Sequence, residues 1–171
     1  MRRAALLSLA ACALCSVAAA HSASDAYLTL TAAAAAPRTL LHGQWDIALR
    51  DLDFVLKLDD DGDGRVTWGE TKRHRSDIER YAYSHLHVAD DAGTACSIKP
   101  TAQMIDDHAD GAYAALFFDV ACAHTTKKID LHYDLFFAID PSHRGILVMR
   151  DADNAATSVL SPQNATISLA P

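Results

Sequence analysis

The stretch that decides how the chain is interpreted is DDDGDGRVTWGE, which runs from Asp59 to Glu70. Acidic residues occupy its first, third, fifth and twelfth positions, and a glycine occupies its sixth. In a twelve-residue loop these positions direct oxygen atoms at one cation, and the glycine permits the sharp turn that brings them together. Apolar residues at helical spacing occur before the stretch, from Leu52, and after it, from Ile78. The pattern predicts a metal-binding loop between two helices.

The oxygen atoms of this loop favour Ca²⁺ as the metal. The predicted ligands are the side chains of Asp59, Asp61, Asp63 and Glu70, the carbonyl of Arg65 and a water held by Thr67. Calcium accepts about six to eight oxygen ligands, whereas Mg²⁺ prefers a strict octahedron that retains several waters. We therefore expect a calcium-binding loop of EF-hand type; the alternative is an exposed Asp/Gly turn that binds nothing. Such loops usually pair through their eighth residue, here Val66, so a single loop predicts either weak binding or a homodimer.

Most of the remaining chain has the composition of β-strands. Strand-like runs separated by Asp, Gly, Pro and Asn turns are Ala26–Thr31, Leu40–Leu49, Cys96–Ile105, Gly111–Cys122, Lys128–Ala138, Gly145–Met149 and Thr157–Leu160. Strands at this spacing are typical of a small sandwich. We therefore predict an α+β fold, in which a small antiparallel β-sandwich carries a single inserted EF-hand, a helix–loop–helix at about residues 50–86.

The N-terminus predicts export. Two arginines, an apolar run and three alanines ending at Ala20 follow one another, which is the arrangement of a secretory signal with an A-x-A cleavage site. The alternative is a lipoprotein signal that leaves Cys12 as a lipid anchor. We expect residues 1–20 to be a signal peptide and residues 21–171 to be a single exported domain in a bacterial periplasm. No later run approaches the about 18 consecutive apolar residues that a transmembrane helix requires.

Export leaves one pair of cysteines, because Cys12 and Cys15 lie in the predicted signal. In an oxidising compartment we expect Cys96 and Cys122 to form a disulfide. Cys96 begins one strand-like run and Cys122 ends another, positions that meet when two antiparallel strands are neighbours. Two buried free thiols are the alternative.

Charge and motifs argue against two classes of function. The whole chain has a formal charge of −7, and without Arg2 and Arg3 of the predicted signal its 13 basic and 22 acidic residues give −9. We therefore expect no nucleic-acid partner. Neither G-x-S-x-G nor H-E-x-x-H occurs, and the disulfide would use both remaining cysteines, so we expect no enzyme.

The nine histidines suggest an alternative function, that of an accessory protein that handles a transition metal such as nickel, cobalt or copper. His85 and His87 would share one face if the segment after the second helix is a strand. His21, at the predicted mature N-terminus, could chelate copper together with its own amino group. Solvated or helix-capping histidines are the plainer interpretation.

Three stretches, together with the acidic loop, resemble a known family. They are SDAYLTL from Ser24, GQWDIALRDLD from Gly43 and LFFAIDPSHRG from Leu135. They are similar to the exported N-terminal region of bacterial proteins of the hydrogenase/urease accessory HupE/UreJ family. In that family the region usually precedes a membrane-embedded segment associated with nickel or cobalt uptake, and this chain stops at Pro171 without one. The resemblance implies an exported domain that assists a separately encoded membrane protein. Together with the acidic loop, it leads us to expect that calcium orders a surface for that partner.

Overall fold

The fold is built from strands in which buried apolar residues alternate with residues of the opposite face. In β1 (Asp25–Ala33), Ala26, Leu28 and Leu30 are fully buried. The structure is a computed structural model that describes residues 24–33, 38–152 and 154–171. The predicted signal peptide, with the alternative anchor Cys12, lies outside the described residues, as does His21. No helix of the described part is long and apolar enough to cross a membrane.

Two sheets and three short helices make up the described chain. After β1 come β2 (Leu40–Ala48), α1 (Leu49–Leu56), α2 (Trp68–Arg73), α3 (Arg75–Ser84), β3 (Leu86–Asp90), β4 (Ser97–His108), β5 (Gly111–Ala121), β6 (Ile129–Tyr133), β7 (Arg144–Arg150), β8 (Ala155–Leu160) and β9 (Thr166–Leu169). Six strands form one sheet in the order β4-β5-β2-β1-β7-β8, and three form another in the order β3-β6-β9. All neighbours are antiparallel except β1 and β7, which are parallel.

The core lies between the two sheets and under α3. Trp45 of β2 and Tyr133 of β6 are fully buried, and their ring centroids are 5.5 Å apart, so the two sheets meet through aromatic contact. Gly145 of β7 lies against the Tyr133 ring, and a Cβ atom at that position would come within 2.8 Å of it. Ile78 and Ala82 place one face of α3 in the same core. The close approach of the sheets therefore depends on a residue without a side chain.

A disulfide joins the ends of two neighbouring strands. Cys96 precedes β4 and Cys122 follows β5, and these strands are antiparallel neighbours. The two Cα atoms are 4.2 Å apart and the sulfurs lie at bonding distance, 2.00 Å. The link closes a segment with a sequence separation of 26 residues, which contains the whole β4–β5 hairpin.

The predicted fold class, an antiparallel sandwich with an inserted EF-hand, is wrong. The chain is mostly β, and its larger sheet is mixed because β1 pairs with β7 in parallel. The second helix of the predicted helix–loop–helix is not continuous: α2 ends at Arg73 after six residues, and a separate α3 begins at Arg75. Leu86, which falls at the end of the predicted helix–loop–helix, instead begins β3. Apolar residues near a helix end fit the helical stripe and a short strand equally well, so periodicity alone could not separate them.

Candidate metal centre

The acidic loop begins where α1 ends, and one carboxylate fixes that junction. Lys57 adopts a left-handed conformation with φ of 56°, and its N–H donates to the Asp53 carbonyl. The Asp53 side chain accepts hydrogen bonds from the main-chain N–H groups of Leu58 and Asp59, at 2.7 and 3.0 Å. Sequence reasoning gave Asp53 no role. The sequence feature that could have pointed to Asp53 is an acidic residue in the last turn of a helix. The helix dipole disfavours a negative charge there unless a partner compensates.

Three of the predicted ligand side chains converge. Carboxylate oxygens of Asp59, Asp61 and Asp63 lie within 4.8 Å of one another. The two oxygens of Asp59 accept the N–H groups of Gly62 and Gly64, each at 2.8 Å. Both glycines have positive φ, 74° and 82°, which residues with a Cβ rarely adopt. The turn that the sixth-position glycine predicted therefore brings three carboxylates into a cluster that could hold a metal ion.

Within the cluster, hydrogen bonds from the main chain lower the pKa values of the carboxylates, whereas neighbouring negative charges raise them. The N–H of Gly64 is the main cause that lowers the pKa of Asp59. The N–H of Asp63 lowers the pKa of Asp61, but the negative charges of Asp63 and Glu70 oppose it, so the net pKa of Asp61 is raised. Like charges at this separation repel, and a cation among them would remove that repulsion.

Glu70 lies at the end of the loop but outside the three-carboxylate cluster. One of its oxygens accepts the Asp60 N–H at 3.0 Å, and the other accepts the N–H and the hydroxyl of Thr67 at 2.8 and 2.7 Å. Thr67 in turn caps the N-terminus of α2 by accepting the N–H of Glu70, which completes a capping box. The hydrogen bond from the Thr67 N–H is the main cause that lowers the pKa of Glu70. Glu70 is only 3% exposed, and its hydrogen bonds with Thr67 and Asp60 favour the ionised carboxylate against the effect of burial.

Arg65, the remaining residue of the predicted ligand set, and Val66, the expected pairing residue, differ in environment. Arg65 is exposed, and its main-chain N–H donates to the Asp63 carboxylate at 2.8 Å. Val66, the expected pairing residue, is half-buried and packs against the core of its own chain. It also lines a cavity of about 420 Å³ beside the β4–β5 hairpin, with Leu49 and Ala112.

Asp60, the second residue of the loop, points away from the cluster and ties the loop to the helix that follows. Its carboxylate accepts a hydrogen bond from Arg73 Nε at 2.8 Å and contacts His74 Nε2 at 2.8 Å. The His74 contact is the first cause of the lowered pKa of Asp60, and the same contact raises the pKa of His74. Sequence reasoning missed this link, because it gave neither Arg73 nor His74 a role in the loop.

The predicted histidine pair is divided between two elements. His85 follows α3 as its C-terminal cap and contacts Asp134 at 2.8 Å. His87 lies in β3 opposite His132 of β6, with ring centroids 6.1 Å apart. Each of these histidines is therefore engaged with a different neighbour rather than with the other.

Comparison with known proteins adds no relative to this description. No model of a protein family matches the chain, and no curated protein matches it either.

Proposed function

We propose that the loop from Asp59 to Glu70 binds Ca²⁺ and that the bound ion orders a docking surface of an exported protein. The observation that carries the proposal is the convergence of carboxylate oxygens from Asp59, Asp61 and Asp63 within 4.8 Å. All three are hard oxygen donors, and the cluster contains no nitrogen or sulfur ligand. Calcium prefers oxygen ligands of this kind. The full proposed ligand set is Asp59, Asp61, Asp63, the Arg65 carbonyl, Thr67 through a water, and Glu70.

Glu70 connects the ion to the helix that follows. Its carboxylate is hydrogen-bonded to the main chain at the second and ninth loop positions, through Asp60 and Thr67. It also belongs to the capping box that begins α2. An ion that draws on Glu70 therefore acts on both ends of the loop and on the start of α2. Binding of the ion should therefore stabilise the loop and α2 together.

The size of that effect follows from linkage. An ion that binds only the folded chain stabilises it by about 2.7 kcal/mol when its concentration is 100 times the dissociation constant. The cluster supports selective binding to the folded state, because the two positive-φ glycines and the Asp59 hydrogen bonds exist only when the loop is folded.

An exposed apolar surface next to α1 is the proposed docking site. Phe54 of α1 and Ile139 are 68% and 50% exposed, and both line the same cavity of about 360 Å³, so they form one exposed apolar surface. Arg50 and Asp51 of α1 line the same cavity. Since α1 runs directly into the loop through the Asp53 hydrogen bonds, calcium would hold this surface in place. The family resemblance points to a separately encoded membrane protein as the partner, in the bacterial periplasm.

Calorimetric titration with Ca²⁺ tests the proposal. The protein is residues 21–171 with its disulfide formed, and Glu70→Gln removes one carboxylate charge while preserving the shape of the side chain. Glu79→Gln, in α3, is the matched control, because it makes the same chemical change at a residue that contacts Arg75 rather than the loop. We expect saturable binding in the wild type and the control, and a large loss of affinity in Glu70→Gln. Equal binding by all three proteins, or no binding by the wild type, would refute the proposal.

A further inference from the structure

A second group of metal-ligating side chains lies outside the acidic loop, on the larger sheet. Asp46 is in β2, and Asp106 and His108 are in β4; their ligand atoms all lie within 4.8 Å of one another. His108 Nε2 is 3.7 Å from an Asp46 oxygen and 3.9 Å from an Asp106 oxygen. This is a mixed set of one imidazole and two carboxylates, unlike the all-oxygen loop.

The sheet itself brings these residues together. Asp106 and His108 are two residues apart on β4 and so share one of its faces. The strand between β4 and β2 is β5, where Ala115 pairs with Asp46. On β4 the partner of Ala115 is Met104, and Asp106 and His108 follow it on the same face. The His108 ring is positioned by the Tyr113 ring, stacked at 4.1 Å between centroids.

Asp46 is the strongest indication that a cation belongs here. Its carboxylate is held by the Gln44 amide, which donates to both oxygens at 2.9 and 3.1 Å, and the residue is only 8% exposed. A buried carboxylate is costly unless a positive charge pairs with it. Among the described residues, His108 is the one basic side chain within ion-pair distance of Asp46.

We propose that Asp46, Asp106 and His108 bind a divalent first-row transition ion of the Zn²⁺ type. The separations from His108 are too long for hydrogen bonds. Three atoms so spaced leave a central point within about 2.5 Å of each, close to the roughly 2.0–2.2 Å that zinc keeps to imidazole and carboxylate. The imidazole favours such an ion over calcium, which prefers oxygen ligands. The Asp106 side chain is 56% exposed, so the remaining coordination positions face water and the ion is exchangeable.

The test is a Zn²⁺ titration in saturating Ca²⁺, so that the acidic loop is already filled. His108→Ala removes the nitrogen ligand. His42→Ala is the matched control, because His42 is another strand histidine that contacts a carboxylate, Asp119 at 2.8 Å. We expect one Zn²⁺ site in the wild type and in His42→Ala, and an affinity lower by about tenfold or more in His108→Ala. The proposal is overturned if His108→Ala binds as the wild type does, if both histidine variants lose affinity equally, or if the wild type does not bind.

A second variant separates metal binding from folding. Asp46→Asn keeps the size of the side chain and removes the negative charge that the proposed site offers to the ion. Zn²⁺ should then raise the melting temperature of the wild type but not that of the variant. An equal Zn²⁺-dependent rise in both proteins would contradict the assignment, whatever the affinity measurements give. Since Glu70 is outside this site, Glu70→Gln should bind Zn²⁺ normally, which keeps the outcome independent of the calcium proposal.

Discussion

The pH dependence of stability offers a sharp test of the packing around His143. This histidine is fully buried, and its ring nitrogens contact Ser24 Oγ and Tyr133 Oη, both at 2.7 Å. Burial lowers the pKa of His143 to about 4, from a usual value of 6.5. Between these values the unfolded chain binds a proton that the folded chain does not. The contribution to stability is therefore complete above pH 6.5 and is lost as the pH falls toward 4.

The magnitude follows from the two pKa values. Lowering the pH from about 7.5 to about 4.5 should reduce the free energy of unfolding by about 2.5 kcal/mol through His143 alone. Urea unfolding at a series of pH values measures this for the wild type and for His143→Gln, which cannot titrate. Carboxylates with lowered pKa values, such as Asp59 and Glu70, lose their contribution at lower pH and do so in both proteins.

The difference between the two stability curves isolates the histidine. It should shrink by about 2.5 kcal/mol across this pH interval. Parallel curves would refute the reasoning, as would a His143 ring that titrates near pH 6.5 in a folded-state NMR titration. The NMR measurement needs no variant, so the prediction remains testable if His143→Gln folds poorly.

Three further perturbations probe other parts of the fold. Replacing both Cys96 and Cys122 by alanine should lower the free energy of unfolding in urea by about 3.5 kcal/mol, the loop-closure value for a separation of 26 residues; a change below about 1 kcal/mol would contradict it. Gly145→Ala should destabilise by about 1–3 kcal/mol in thermal unfolding, because the new Cβ meets the Tyr133 ring at 2.8 Å, and an unchanged melting temperature would show that the sheets are less closely packed. Thr67→Ala removes the cap of α2 and should cost about 1 kcal/mol in urea unfolding with chelator present, whereas an equal stability would argue against the capping box.

The sequence was most informative where the pattern is local. The acidic loop follows from its spacing, and its Asp59, Asp61 and Asp63 carboxylates do converge. The strands β1 and β5 fall close to the predicted runs, because each has a continuous stretch of apolar and β-forming residues bounded by turns. In these segments neighbouring residues alone determine the local structure.

The remainder depends on contacts between distant residues. The parallel pairing of β1 with β7 leaves no mark in either strand, since alternation fits both directions of pairing. The strand β9 has only four residues, too few for a periodic signal. Asp46 and His108 lie about sixty residues apart, and nothing near either of them indicates that a sheet joins them. In this fold the order of the strands brings these two distant side chains together.

The most direct test of the central claim is a crystal structure of the disulfide-bonded protein grown with Ca²⁺. We predict one calcium ion in the loop, with carboxylate oxygens of Asp59, Asp61, Asp63 and Glu70 at about 2.3–2.6 Å from it. Anomalous scattering identifies the ion independently of the surrounding geometry. A loop that remains free of calcium at saturating concentration, or an ion that binds elsewhere while these four carboxylates stay uncoordinated, would contradict the account.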